Sequence, residues 1–209
     1  MKKFCAAMSV LSCIFLIASV LTAGSLSIPD RPVVPIFASA AEAAEIPETP
    51  AGDFAYRYDP NLEGIQLTRY TGTSIRVRIP EKIEGVPVVG LVGTFESSNI
   101  MEVHIPNSVT HIGIQTFMWC NGMTSLTIPN GVTHLEGPVF HGSSIMSVTL
   151  PDSVTHVTKD NSGTPFRGMR VGATVTYMGN VYTIADKVRG GYSDLSEAFY
   201  DLFEDAGRM

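Results

Sequence analysis

Cysteine is scarce in this 209-residue chain: Cys5 and Cys13 lie near the start, and Cys120 stands alone in the remainder. Removal of an N-terminal leader leaves one thiol, which excludes an internal disulfide in the processed monomer and any cysteine-pair zinc spacing. Basic residues are also few, 14 against 20 acidic ones, for a formal net charge of −6. With no basic stripe, neither nucleic acid nor an anionic membrane surface is an expected partner. The short motifs of catalysis are missing as well. There is no Gly-x-Ser-x-Gly, no phosphate loop and no His-Glu-x-x-His, and the carboxylates are scattered with no pair assignable to one cleft. The expectation is a chain with no catalytic residue, no cofactor and no metal.

Charge is absent from one stretch in particular. Met1-Lys-Lys is followed by an uncharged apolar run from Phe4 to Ala23, which reads as a secretory signal. Ala38-Ser39-Ala40 before Ala41 has the small-residue form of a cleavage site, and Thr22-Ala23-Gly24 before Ser25 is the earlier candidate. An uncleaved anchor helix is the alternative, since about 20 apolar residues can span a bilayer. Residues 1–40 are taken as the signal peptide, so the protein is expected outside the cell or on its surface, with no membrane insertion after cleavage. Cut after Ala40, the chain keeps 11 basic and 19 acidic residues, a net charge of −8.

What is present in abundance is repetition. Pro80, Pro106, Pro129 and Pro151 each follow an aliphatic residue, and each is answered downstream by Phe95, Phe117, Phe140 or Phe166. The proline spacings of 26, 23 and 22 residues indicate a solenoid. Counting back from each proline, the sixth, third and first positions are apolar in three copies: Ile100, Val103, Ile105; Met123, Leu126, Ile128; Ile145, Val148, Leu150. The first copy has Ser74, Val77 and Ile79. The two-residue period next to the proline is that of a strand with one face inside, ended by a residue that brings no ladder donor. A second apolar pair follows in three copies, Val109 and Ile112, Val132 and Leu135, Val154 and Val157, and the phenylalanine plugs the far side of the coil. One coil cannot cover its own apolar face, so stacking closes the core.

The pattern I-P-x-x-V-T-x-I-x-x-x-x-F-x-x-C, read from Ile105 to Cys120, resembles the bacterial surface-protein leucine-rich repeats called BspA-like. It departs from the general leucine-rich pattern where Ser108, Gly131 or Ser153 takes the usual Asn/Cys position. The resemblance covers roughly residues 54 to 205. It implies an exported protein and, by analogy with several kinds of relative, adhesion to host or neighbouring-cell proteins.

The remaining segments read as linker and caps. Residues 41–53 are small, acidic and proline-bearing, and are expected to be a flexible linker. Residues 54–74 suggest a hairpin cap, with alternating Phe54, Tyr56 and Tyr58, a turn at Asp59 to Gly64, and a strand from Ile65 to Tyr70. The repeats occupy 75–170, with extra residues Glu84 to Pro87 and Lys159 to Gly163 expected as loops. In 171–209, Thr174–Tyr177 and Val181–Ile184 flank Met178-Gly-Asn180, a three-residue hairpin signal. Ser193 can then cap a helix bearing Leu195, Phe199, Leu202 and Ala206 on one face, stopped by Gly207. The fold class expected is mainly β with short helices: a leucine-rich-repeat solenoid of about four repeats, an N-terminal hairpin cap, and a C-terminal hairpin-plus-helix cap.

Three sets of residues invite a role. Cys120 with His104 or His141 as base is a nucleophile arrangement. Yet Cys120 follows Phe117 by three residues, where neighbouring copies carry Ser98 and Ser143, so a packed small site explains all three. His111, His134 and His156 share one repeat position and should stack as a ladder, too linear for all three to reach one zinc ion at about 2 Å. Last come the outward strand positions: Arg76 and Arg78, Glu102 and His104, Ser125 and Thr127, Ser147 and Thr149. Solvated sheet surface explains them, and so does a binding face for a protein or glycan on host or neighbouring cells. Four strands at about 4.8 Å spacing present only roughly 300 Å², against about 800 Å² per side in a stable complex, so contact must be weak or recruit loops and caps. The expected function is an exported, non-catalytic interaction module acting in protein binding or adhesion. A self-associating component of the cell envelope is the alternative, and an enzyme the third reading. The oligomeric state is left open.

Overall fold

The computed structural model describes residues 46–158, 163–188 and 191–204, all within the unit Ala40–Met209. The leader expected at 1–40, most of the loop expected at Lys159 to Gly163, and Ala206 with Gly207 lie outside the described residues. Among the described residues, fifteen strands and one α-helix are joined largely by tight turns. In order they are β1 Phe54–Asp59, β2 Gly64–Tyr70, β3 Arg76–Arg78, β4 Lys82–Ile83, β5 Val86–Leu91, β6 Glu102–His104, β7 His111–Ile112 and β8 Ser125–Thr127. There follow β9 His134–Glu136, β10 Ser147–Thr149, β11 His156–Thr158, β12 Thr174–Tyr177, β13 Asn180–Thr183, β14 Ala185–Val188, β15 Tyr192–Asp194 and α1 Glu197–Glu204.

The solenoid is a mainly β coil of about five turns. The front strands β3, β6, β8 and β10 each end immediately before an aliphatic–proline pair, and the chain then turns, as in the bonds from the amides of Val109, Val132 and Val154 to the carbonyls of Pro106, Pro129 and Pro151. The second apolar pair then forms a back strand. These back strands make the continuous sheet: β2, β5, β7, β9 and β11 pair in parallel, with β1 antiparallel at the N-terminal edge. Beyond each back strand the chain turns through its phenylalanine.

The core runs through the middle of the coils. Phe95, Phe117, Phe140 and Phe166 are fully buried and stack at 5.6, 5.8 and 5.7 Å between ring centroids. The caps extend this spine, through Tyr70 and Phe54 at one end and Phe199 at the other. Buried threonines satisfy stray carbonyls at the turns: the Thr94 hydroxyl donates to Leu67, and that of Thr116 to Leu91 and Gly113.

Several expectations need correction. Flexibility was expected for 41–53, but from Ile46 onward the chain is docked. Ile46 and Thr49 are buried, Thr49 exchanges hydrogen bonds with the backbone of Arg78, and Ala51–Asp53 forms a 3-10 turn. The free edge of β3 needs donors and acceptors, and this segment supplies them. Glu84 to Pro87 is no loop, because Glu84 and Gly85, both at positive φ, turn β4 back onto β5. The C-terminal hairpin has a two-residue turn, with Tyr177 opposite Asn180 and positive φ at Met178 and Gly179. Its first strand, β12, pairs in parallel with β10 and so continues the front of the coil.

Ser193 does not cap the helix. It lies in β15, paired with β14, and its hydroxyl donates to the Met169 carbonyl. The helix therefore starts later and turns Phe199, Tyr200 and Phe203 inward, leaving Leu202 exposed. Asp194 fastens this cap, accepting from the hydroxyls of Tyr200 and Thr164, each at 2.5 Å, and from the Leu195 amide at 2.8 Å.

Candidate interaction face

The front strands carry the outward residues singled out above. In the first two coils, Arg76 lies opposite Glu102 and Arg78 opposite His104. Arg76 donates to Glu102 at 2.8 Å and the His104 ring meets the other carboxylate oxygen at 3.2 Å. Burial acts to raise the Glu102 pKa, but these two partners outweigh it and hold the carboxyl below the usual range. Arg78 reaches back to the Ile46 carbonyl at 3.4 Å and, with Lys82 and His104, lines a cleft of about 560 Å³ that also contains Glu48 and Glu81.

In the next two coils, Ser125 lies opposite Ser147 and Thr127 opposite Thr149, and β12 extends the row with Thr174 and Thr176. The structure thus forms two groups, one charged and one hydroxylated. It does not join them. A four-strand face was expected, but β3 and β6 form one two-stranded sheet, and β8, β10, β12 and β13 another. No ladder connects β6 to β8. A groove of about 550 Å³ lies between them, with Val103, Ile105, Met123 and Leu126 among its walls. The break is legible in burial: Val77, Leu126 and Val148 are buried, whereas Val103 and Ile105 are only partly so, and Met101 is 59% exposed.

The back sheet holds the histidines. His111 and His134 stack at 4.2 Å between centroids, as do His134 and His156, with interplanar angles of 13° and 7°. Each Nδ1 meets the hydroxyl of the preceding threonine, at 2.8, 2.8 and 3.0 Å. The hydroxyls of Thr110 and Thr133 also reach backbone carbonyls, of Val89 at 3.2 Å and of Thr110 at 3.3 Å. Near-parallel rings point their remaining nitrogens side by side rather than at a common point, and among the described residues no three-member cluster of metal-binding side chains forms. Burial, and then the neighbouring rings, push His134 down to about 4.

Cys120 is fully buried, with Ser98 at 3.7 Å and the Ile100 carbonyl at 3.9 Å. Burial raises its pKa, opposite to what a nucleophile requires. The two proposed bases are engaged elsewhere: His104 with Glu102, and His141 edge-on to Tyr192 at 5.7 Å. Cys120, His104 and His141 thus do not form a nucleophile–base pair. The groove between β6 and β8 is what sequence reasoning missed, since repeats 2 and 3 match residue for residue in apolar pattern and give no sign of it.

Comparison with known proteins bears on the coils just described. Residues 92–187 match the BspA type Leucine rich repeat region, in 6 copies. This stretch is a BspA-type leucine-rich-repeat region. Similar solved structures include the T. pallidum leucine-rich repeat protein TpLRR, at 26% identity over 52% of this chain and 63% of that one, with a TM-score of 0.41. A leucine-rich repeat protein from Bacteroides capillosus ATCC 29799 is 25% identical over 54% of this chain and 87% of that one, with a TM-score of 0.46. Another, from Bacteroides ovatus ATCC 8483, is 19% identical over 49% and 35% of the two chains, with a TM-score of 0.34. The match thus spans less than two thirds of the T. pallidum protein. No curated protein sequence matches the chain.

Proposed function

We propose that this BspA-type repeat protein is exported and acts at the cell surface as a non-catalytic module that binds a protein partner. The observation that carries this reading is the front of the solenoid. The Arg76–Glu102–His104 cluster and the cleft beside Arg78 stand on one front sheet and the hydroxyl row from Ser125 to Thr176 on the next, and both sheets belong to coils packed on the same buried aromatic spine. A rigid scaffold presenting varied side chains at fixed spacing suits recognition, because little conformational entropy is lost on binding. Families of this repeat type supply the analogy for export and adhesion.

The test is a pull-down from extracellular-matrix and neighbouring-cell surface extracts, with the wild-type chain beside an Arg76→Ser/Arg78→Ser double variant. The variant should fold, because both side chains are exposed and the Arg76–Glu102 pair is a surface ion pair. Its binding should fall by roughly tenfold, about 1.4 kcal/mol. Capture of a glycan alone, or of nothing but further copies of this chain, would replace this reading with carbohydrate adhesion or with envelope self-assembly.

A further inference from the structure

The turn after each core phenylalanine carries one residue in the left-handed region. Two positions on from Phe95, Phe117, Phe140 and Phe166 stand Ser97, Trp119, Gly142 and Gly168, with φ of 56°, 53°, 67° and 78°. Glycine takes this conformation freely, and a bulky aromatic only at a cost. The chain's one tryptophan nevertheless stands there, 50% exposed and outside the buried spine. The core at this turn is already filled by Phe117, so the indole is not held there by burial.

The surroundings are fitted to the ring. The Ser97 amide donates to the Met118 carbonyl at 2.8 Å and the Trp119 amide to the His141 carbonyl at 2.9 Å, so the three turns stack as one column. The indole leans on the next coil: its Cδ1–Nε1 edge lies against Gly142, so closely that any side chain there would strike the ring. On the other side the column holds only Ser97, small and exposed. Past buried Cys120 runs a second column, and it is polar. The Ser144 hydroxyl donates to the Asn121 side-chain oxygen at 3.3 Å and accepts from the Arg170 guanidinium at 3.1 Å. The Ser144 amide donates to the Cys120 carbonyl at 3.0 Å, which ties this row to the tryptophan's own turn. Two residues of chain separate Trp119 from Asn121, so their Cα atoms lie no more than about 7 Å apart.

We infer that Trp119, with Asn121, Ser144 and Arg170 beside it, is a binding site for a saccharide. A pyranose has an apolar C–H face and a rim of hydroxyls that both give and accept hydrogen bonds. The half-open indole supplies a flat apolar surface, and the neighbouring amide, hydroxyl and guanidinium supply donors and acceptors for the rim. A protein partner fits this place less well. Aromatic anchors of protein interfaces sit among further contacts that shut out water, whereas Trp119 is bordered by Ser97, Gly142, Asn121 and Ser144. The site uses none of the front-strand residues. It therefore goes beyond the protein-binding reading and does not depend on it.

The full chain reports on the site directly, because its one tryptophan is the surface in question. The probes are hexasaccharides of glucose, N-acetylglucosamine, mannose and xylose. At least one should shift the Trp119 emission to the blue and, at saturation, lower the acrylamide quenching constant roughly twofold as the open part of the ring is covered. Ligand-observed saturation-transfer NMR then reads the variants. Trp119→Gly installs the residue that the next two copies carry, so it should keep the wild-type circular dichroism spectrum yet weaken binding at least roughly tenfold. Trp119→Phe, which keeps an aromatic face, should retain part of the affinity, and Asn121→Ala should lower it about threefold. Arg76→Ser/Arg78→Ser should leave it unchanged.

If no hexasaccharide in the panel protects the indole, the proposal is overturned. Equal binding by Trp119→Gly would place the sugar elsewhere and end it too. If the indole becomes protected on raising the protein concentration alone, a second copy covers the ring and the saccharide assignment fails. If Trp119→Gly instead loses a captured protein that carries no glycan, the ring belongs to a protein interface, and only the protein-binding reading survives.

Discussion

Replacing Phe117 with alanine tests whether the aromatic spine is what couples one coil to the next. The ring is fully buried between Phe95 at 5.6 Å and Phe140 at 5.8 Å, within 14° and 8° of parallel to its neighbours. Removing it empties the middle of a stack whose backbone cannot close up. The Phe95 amide donates to Thr116 at 2.9 Å, and the Phe117 amide to Val139 at 3.0 Å, so the flanking coils are held at their present separation. Sites that cannot collapse lie at the upper end of the cavity scale, and the expected loss is about 3–5 kcal/mol. The two ring–ring contacts, at about 0.5–1.5 kcal/mol each, are contained within that figure. Urea denaturation followed by circular dichroism and by the fluorescence of Trp119, the chain's one tryptophan, gives two independent readings of the same transition. Leu202→Ala, at a position 44% exposed, is the control and should stay within about 0.5 kcal/mol. A loss below about 1 kcal/mol at Phe117 would refute the placement of the phenylalanines as the coupling element.

Cys120 should resist thiol reagents in the native state and react promptly once denaturant is added, because it is fully buried and burial raises its pKa; native labelling at the unfolded rate would show an open site. The histidine ladder should make the fold acid-sensitive. His134 titrates near 4 in the folded chain and near 6.5 when unfolded, so the unfolded state takes the proton first as pH falls. Its contribution is therefore whole above about pH 6.5, declines between about 6.5 and 4, and changes no further below. His134→Gln should flatten this part of the pH profile of the urea midpoint, while Glu136 and Asp59, which favour the charged form of His111, temper the effect at that end of the ladder. An unchanged profile in the variant would remove the ladder as the cause.

Much of the fold was legible because a solenoid reports its interior many times over. Val109, Val132 and Val154 recur at one position, and Ile112, Leu135 and Val157 three residues on; all six are fully buried. Legibility failed where one segment meets another only once. Ile46 and Thr49 sit in an acidic, proline-bearing stretch whose composition suits a linker, yet Arg78 at the exposed edge of β3 bonds Thr49 through its backbone and Ile46 through its side chain, which composition cannot announce. At the other end, Ser193 has the residue type and position of a helix cap, but β14 offers it a ladder, and the helix begins at Glu197 instead. The groove failed for a different reason. Periodicity tells which residues face inward, and Ile100–Ile105 and Met123–Ile128 do so in the same register. It does not tell whether two backbones stay within hydrogen-bonding distance once the back ladder and the phenylalanine stack have fixed the other sides.

Salt dependence tests what the charged cluster contributes to partner binding. Glu102 already holds Arg76 and His104, so much of the cluster's charge is satisfied within the chain. A partner recruited by these side chains must compete with that pairing, at sites that are well exposed, and its affinity should fall as salt screens them over about 8–10 Å. Arg76→Ser/Arg78→Ser should remove the salt-sensitive part of partner binding. If this variant binds as well as the wild type at both low and high salt, the cluster is scaffold and recognition lies on another part of the coil.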